Sequence, residues 1–320
     1  MDPGSSVLNL ILAETRPGVY FQGMRNFTVF ALLLVSSTAF GQQNFDTVKI
    51  RPLKISDHVY MLKGSGGNIG LLTGGDGLLM IDDQFAPLSE KIAAAIKAID
   101  PGPIRFLLNT HIHGDHTGGN ENFKKMGVTI VAHDVVRERM SKESVDPRTR
   151  QKVAAKPKAM LPEVTFADRM NFHLNDEDVE LYHFTNGHTD GDVVIRFVKA
   201  NVYHVGDLFN RTSFPYIDSN NGGSIQGLLT NLDKILALID DNAKVIPGHG
   251  NFATKADVKA YRDMLYDLHD SVAKALKSGK KAEDIPSLNL TARYDDTFGK
   301  GFIKGKDFII IMAQAVAGAK

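Results

Sequence analysis

One six-residue stretch constrains this chain more than any bulk property: His111-Ile112-His113-Gly114-Asp115-His116. It follows Ile104-Arg105-Phe106-Leu107-Leu108-Asn109, which reads as a buried strand. In extended backbone, residues two apart point the same way, so His111 and His113 can share one cation. Gly114 lets the chain turn and presents Asp115 and His116 to a neighbouring position. Imidazole and carboxylate are ligands that zinc and similar cations accept. Three of the 11 histidines fall in these six positions beside an aspartate, which separates the cluster from scattered surface polarity.

Three more candidate ligands stand where later strand-like runs end, each directly after a glycine. They are His188 in Asn186-Gly187-His188-Thr189, Asp207 in Val205-Gly206-Asp207, and His249 in Pro247-Gly248-His249-Gly250. Glycine permits the sharp turn that exposes a ligand and lets backbone approach an ion. Singly, each is an ordinary turn residue. With the histidine-rich stretch they make a set of His111, His113, Asp115, His116, His188, Asp207 and His249. The other histidines read as surface or packing residues, with His133 placed at a strand end where it could line a pocket.

The pattern around these residues is mixed. Strand-like runs cover 59–63, 68–72 and 78–82, separated by glycine-rich turns at 64–67 and 74–77. A helix capped by Ser89 carries Ile92, Ala95, Ile96 and Ile99 at helical spacing and ends at Pro101-Gly102-Pro103. A strand at 128–132 precedes a polar, proline-bearing stretch, 141–162, that reads as an insertion or lid. Strands follow at 164–166, 169–174, 178–185, 193–197 and 202–205, then a helix over 224–239, a short strand at Val245-Ile246, and helices over 255–278 and 302–317. Each group of strands must bury a face on something. Two sheets packed together with helices outside satisfy that, predicting an α/β fold of four αββα layers and a single domain over 42–320. The loops 64–67, 214–216 and 220–223 are expected to be mobile and to govern access.

Composition excludes some classes. Lys plus Arg balances Asp plus Glu at 37 each, so no basic surface argues for nucleic acid. Cysteine is absent, which removes disulfides, zinc ribbons and thiol nucleophiles. Residues 24–41 open on Met24-Arg25, continue through the apolar run 27–35, and end in small residues, the layout of a signal peptide cleaved before Gln42. The run is about half the roughly 20 residues a membrane span needs. The expected protein is therefore periplasmic or secreted, with no membrane contact after cleavage. Residues 1–23 read as a leader of cloning origin ending in the protease-scar sequence Tyr20-Phe21-Gln22-Gly23, and stand outside the fold.

The order His-x-His-x-Asp-His, Gly-His-Thr, Gly-Asp, Gly-His-Gly, within residues 53–251, resembles that of the metallo-β-lactamase superfamily. The resemblance implies a four-layer αββα sandwich of the metallo-β-lactamase type, with a dinuclear metal site at the edge of the two sheets. It assigns His111, His113 and His188 to one metal, Asp115, His116 and His249 to the other, and Asp207 as the bridge. The implied cofactor is two Zn²⁺ per chain, with iron or manganese as alternatives. The implied activity is hydrolysis of a small molecule by a metal-bound hydroxide, since a cation lowers the pKa of bound water to about 7. Asp115 would then orient the nucleophile as well as bind metal. A cyclic amide or ester is the expected substrate, a β-lactam first. A lactone or thioester, as for lactonases and glyoxalase II, is the alternative, and a non-catalytic metal-binding accessory protein is a third reading. The best-known lactamase subclass has a cysteine near Asp207, whereas an aspartate bridge resembles the glyoxalase II-like and lactonase-like members. Arg211, beside Asn210 where some lactamases hold substrate with lysine, and Asn220 and Asn221 in the mobile stretch are the candidate substrate-contact residues.

Overall fold

The computed structural model describes residues 44–145 and 151–318. The expected leader and signal segment lie outside the described residues. Short strands come first: β1 (Arg51–Lys54), β2 (Val59–Lys63), β3 (Ile69–Leu72), β4 (Leu78–Ile81), β5 (Ile104–Leu108) and β6 (Thr129–His133). A small ribbon of β7 (Ser144–Val145) and β8 (Lys152–Val153) intervenes before β9 (Val164–Phe166). The first sheet runs β1-β2-β3-β4-β5-β6-β9, antiparallel up to β4 and parallel from there on. The second sheet contains β10 (Arg169–Leu174), β11 (Glu177–Phe184), β12 (Asp192–Phe197), β13 (Val202–His204), β14 (Lys244–Ile246) and β15 (Ala253–Thr254), paired in that order.

Alternation explains why the sheets stack. Successive side chains of a strand point to opposite faces. In β4, Leu79 and Ile81 join one apolar cluster while Leu78 and Met80 join another. In β12, Val193, Ile195 and Phe197 face inward and Val194 faces the other way. The inward cluster takes residues from both sheets, including Met61, Leu72 and Val131 from the first and Val179, Leu181 and Ile246 from the second. Each sheet's outer face packs on helices. The first is covered by α1 (Ser89–Ile99), through Ile92 and Ile96. The second is covered by α5 (Ile225–Leu238), α6 (Lys255–Lys277) and α8 (Gly305–Gly318). The result is the expected four-layer αββα sandwich.

Details differ from the sequence reading where local signals were weak. Ser89 opens α1 rather than capping it, and its hydroxyl donates to the Ala86 carbonyl. Ser224 does cap α5, accepting from Gly227 N at 2.9 Å. The last helix begins at Gly305, not at 302. Four short helices were not foreseen: α2 (Gly114–Thr117), α3 (Asn120–Lys125), α4 (Asp134–Met140) and α7 (Asp295–Phe298). Part of the polar stretch 141–162 is anchored, since Asn120 Nδ2 donates to the Met160 carbonyl at 2.9 Å and Leu161 is buried. No helix among the described residues is long and apolar enough to cross a membrane.

Candidate metal centre

The seven candidate ligands come from separate strand ends that the two sheets bring to one edge. His111 and His113 follow β5, and the turn of α2 delivers Asp115 and His116. His188 lies between β11 and β12, Asp207 follows β13, and His249 follows β14. The ligand atoms of His111, His113 and His188 lie within 4.8 Å of one another, as do those of His111, His116 and Asp207, and those of Asp115, His116 and His249. The structure therefore brings all seven together as two facing triads.

Two glycines make this convergence possible. Gly206 has φ +50°, a left-handed conformation that side chains rarely adopt, and it turns β13 into Asp207. A Cβ on Gly248 would lie 1.8 Å from Asp207 Oδ1, so only glycine lets the His249 turn approach the aspartate. Asn68 ties that turn to the first sheet, its backbone N–H donating to the Gly248 carbonyl at 2.7 Å and its Nδ2 to the Pro247 carbonyl at 2.8 Å.

Hydrogen bonds behind the imidazoles decide which nitrogens face inward. His188 Nδ1 donates to the Tyr216 carbonyl at 2.7 Å, and His113 Nε2 donates to Asp218 Oδ2 at 2.8 Å. Their other nitrogens, His188 Nε2 and His113 Nδ1, then confront each other as lone pairs 2.8 Å apart. His111 Nδ1 donates to Thr110 Oγ1 at 3.0 Å, whose hydroxyl donates to Asp82 Oδ2 at 2.8 Å. His116 Nδ1 is 2.7 Å from the same Asp82 oxygen. Such partners fix the tautomer and ring orientation of a metal-binding histidine.

The electrostatics separate the triads. Burial, reinforced by His113, pushes His188 down to about 4, and burial with His116 lowers His111 well below its ordinary range. Both stay neutral at pH 7 and keep a lone pair. Burial would push Asp207 up, but His249 and His116 hold it well below the usual carboxylate range. Burial would lower His116, but Asp207, Asp115 and Asp82 raise it well above the ordinary value. Among the buried atoms, His111 Nε2 and Asp207 Oδ1 make no aligned hydrogen bond. Buried polar atoms are normally satisfied, and an orphaned imidazole nitrogen and an orphaned carboxylate oxygen set within a cluster of histidines and aspartates are the signature of a cation-binding donor set. The residues present fit a metal-binding site.

The other expected site residues fall differently. Arg211 turns to the first turn of α6, its Nη2 3.0 Å from Asp257 Oδ1 and its Nη1 bonded to the Phe252 carbonyl. The expectation was a substrate contact at Arg211; in the structure its guanidinium is engaged by Asp257 and the Phe252 carbonyl. Asn221 acts from behind the ligands, its Nδ2 donating to Asp218 Oδ2 at 2.7 Å. Asn220 has an exposed side chain, and its carbonyl accepts from Arg139 Nη1 at 3.2 Å. His133 stacks on His183 at 3.5 Å and donates to the Ala167 carbonyl, apart from the cluster. Asp82, Asp218 and Thr110 were missed by the sequence reading. Asp82 could have been noticed, since it ends the apolar run of β4; nothing in the sequence flags Asp218.

Comparison with known proteins agrees with this geometry. The family model of the metallo-beta-lactamase superfamily matches residues 62–286. The chain belongs to the metallo-β-lactamase superfamily, and it is a hydrolase of that superfamily with a histidine-rich metal-binding site. It is 26% identical over 181 residues to a metallo-beta-lactamase type 2 of Elizabethkingia meningoseptica, covering 54% of this chain and 67% of that one. It is 21% identical over 168 residues to a metallo-beta-lactamase type 2 of Bacteroides fragilis, covering 52% and 62%. The chain thus spans about two thirds of the length of these relatives. A solved metallo-beta-lactamase from Pontibacter korlensis superposes with a TM-score of 0.59 at 18% identity, over 68% of this chain and all of that one.

Proposed function

We propose that this protein is a dinuclear zinc hydrolase of cyclic amides or esters, with β-lactams as the first substrate class. The observation that carries the metal assignment is the pair of lone-pair nitrogens of His113 and His188, 2.8 Å apart, beside a carboxylate that faces both triads. His111, His113 and His188 would hold one ion, Asp115, His116 and His249 the other, with Asp207 between them. Bound there, the pair would supply Lewis acidity and an activated water. Asp115 is the catalytic residue of the chain itself. Its side chain is 28% exposed, and Oδ2 lies 3.3 Å from His249 Nε2. With Oδ2 turned to the triad, the carboxylate can orient the attacking water, accept its proton at Oδ1 and return it to the leaving nitrogen or oxygen.

The substrate class rests on the relatives, both named metallo-beta-lactamases. A lactone or thioester is the second reading, favoured by the carboxylate at Asp207 in a chain without cysteine. The purified protein should hold roughly two equivalents of transition metal per chain. Chelation should abolish hydrolysis, with activity returning on addition of zinc. On the zinc-loaded protein, kcat/KM for a β-lactam should exceed that for a lactone and for a glutathione thioester by at least about tenfold, or about 1.4 kcal/mol. Equal rates on all three would remove the lactam assignment, and full activity without metal would remove the metal centre.

Export follows from the segment 24–41 and is part of the same proposal. In its native host the mature chain should begin at or near Gln42. Terminal sequencing that recovers residues 24–41 on the soluble cytoplasmic protein would overturn it.

A further inference from the structure

The strip 213–218 is almost entirely buried. Exposure is 3% at Ser213, 1% at Phe214, 7% at Ile217 and 5% at Asp218. Tyr216 is 36% exposed in the middle of it. Its ring lies 5.6 Å from that of His113 and 6.0 Å from that of His188. Its backbone cannot drift, because the Tyr216 carbonyl accepts from His188 Nδ1. An aromatic ring on a fixed backbone offers a large contact face at little entropic cost. Across the site, the hairpin tip Gly64-Ser65-Gly66-Gly67 carries no side chain larger than serine. A Cβ on Gly66 would meet the Asp115 carbonyl at 2.9 Å, so that tip lies against the second triad.

The strip is held by chain that lies past the family-matched region, which ends at 286. Ser213 pairs with Gly299 as an isolated bridge, and Phe214 N–H donates to the Phe298 carbonyl at 3.1 Å. Ser213 Oγ accepts from Ile303 N–H at 3.1 Å. The Phe214 ring stacks on Phe308 of α8 at 5.4 Å and 15°. The loop expected to be mobile is therefore clamped on its outer side, and Tyr216 projects from it toward the triads.

We propose that Tyr216 is a specificity-determining wall that favours substrates carrying an aromatic group beside the hydrolysed bond, and that the C-terminal segment 298–308 positions it. This rests on the hydrolase reading, and the test separates the two. The full zinc-loaded chain is titrated with phenylmethanethiol and ethanethiol, since thiolate is a good zinc ligand. The wild type should bind the aryl thiol more tightly, and Tyr216→Ala should cut that preference by about two- to tenfold, the weight of one aromatic pair. Zinc content and ethanethiol affinity should hold, and Tyr216→Phe should keep the preference. Ser213→Ala, which loosens the clamp, should lower the same ratio by a smaller factor at unchanged zinc content. An undiminished aryl preference in Tyr216→Ala would overturn the wall, as would an equal loss for both thiols, which would mean that the ring only shields the imidazoles. An unchanged ratio in Ser213→Ala would overturn the positioning role of the C-terminal segment. A wild type that binds no zinc would overturn the hydrolase reading and the wall with it.

Discussion

Replacing Asp207 with alanine should strip metal from the protein and lower hydrolysis by roughly three orders of magnitude, the equivalent of about 4 kcal/mol in the barrier. The expectation follows from where the carboxylate points. Oδ1 is 3.2 Å from His116 Nε2, while Oδ2 is 3.3 Å from His249 Nε2 and 3.7 Å from His188 Nε2. One side chain thus addresses both triads, and two ions held about 3.5–4 Å apart can act on one water. The second position, which leans on Asp115, His116 and His249, should empty first, because Asp207 Oδ1 lies against His116 and Oδ2 against His249, so alanine takes a donor oxygen and its negative charge from beside two of that position's three ligands. Asp207→Cys should be milder, since thiolate is itself a zinc ligand, and should keep at least one ion. Metal analysis beside the thermal midpoint decides the matter. Were Asp207 only the residue that follows a tight turn, alanine would leave metal content intact and cost about 0.5–2 kcal/mol of stability, as for a lost cap.

The clustered histidines and aspartates were legible as candidate ligands in the sequence because their chemistry is fixed and their backbone context is local. A histidine or aspartate after glycine at the end of an apolar strand can be read without knowing what lies across the sheet. Layer order was legible for a related reason. Runs such as 78–81 and 193–195 are apolar at every position, so both faces must be covered. What supports the ligands was not legible. Asp218 reaches His113 across more than a hundred residues of sequence, and only the tertiary fold makes them partners. Arg211 shows the converse: its sequence neighbours suggested substrate, whereas the start of α6 claimed its charge. The short helices α2 to α4 contain too few turns to show a period, and every residue of β1 is exposed, so neither carries a pattern to detect. The loop 214–216 read as mobile because proline and aromatics between polar runs are common in loops, and the clamp from 298–308 is remote in sequence.

Asp82 deserves the sharper test because it touches no ligand atom that would face a metal. It is fully buried, at φ 58°, and its carboxylate accepts from Thr110 N at 2.7 Å, Thr110 Oγ1 at 2.8 Å and His116 Nδ1. Asp82→Asn keeps the shape and tolerates the left-handed backbone, yet it places an amide donor where an acceptor stood. If that amide turns toward His116, the imidazole must present Nδ1 as acceptor and carry its proton on Nε2, the atom that faces Asp207. The lone pair that the second ion needs is then lost. If the amide turns toward Thr110 instead, a buried N–H or hydroxyl is left unpaired, at about 1–3 kcal/mol. Affinity at the second position should fall by about 10- to 100-fold, as for partners that orient metal-binding histidines. The first position, reached only through Thr110 and His111, should lose less. Titration with zinc against a competing chelator resolves the two affinities, and a thermal scan reads the stability cost. An Asp82→Asn protein that binds both ions with native affinity would show that His116 keeps its tautomer without this partner.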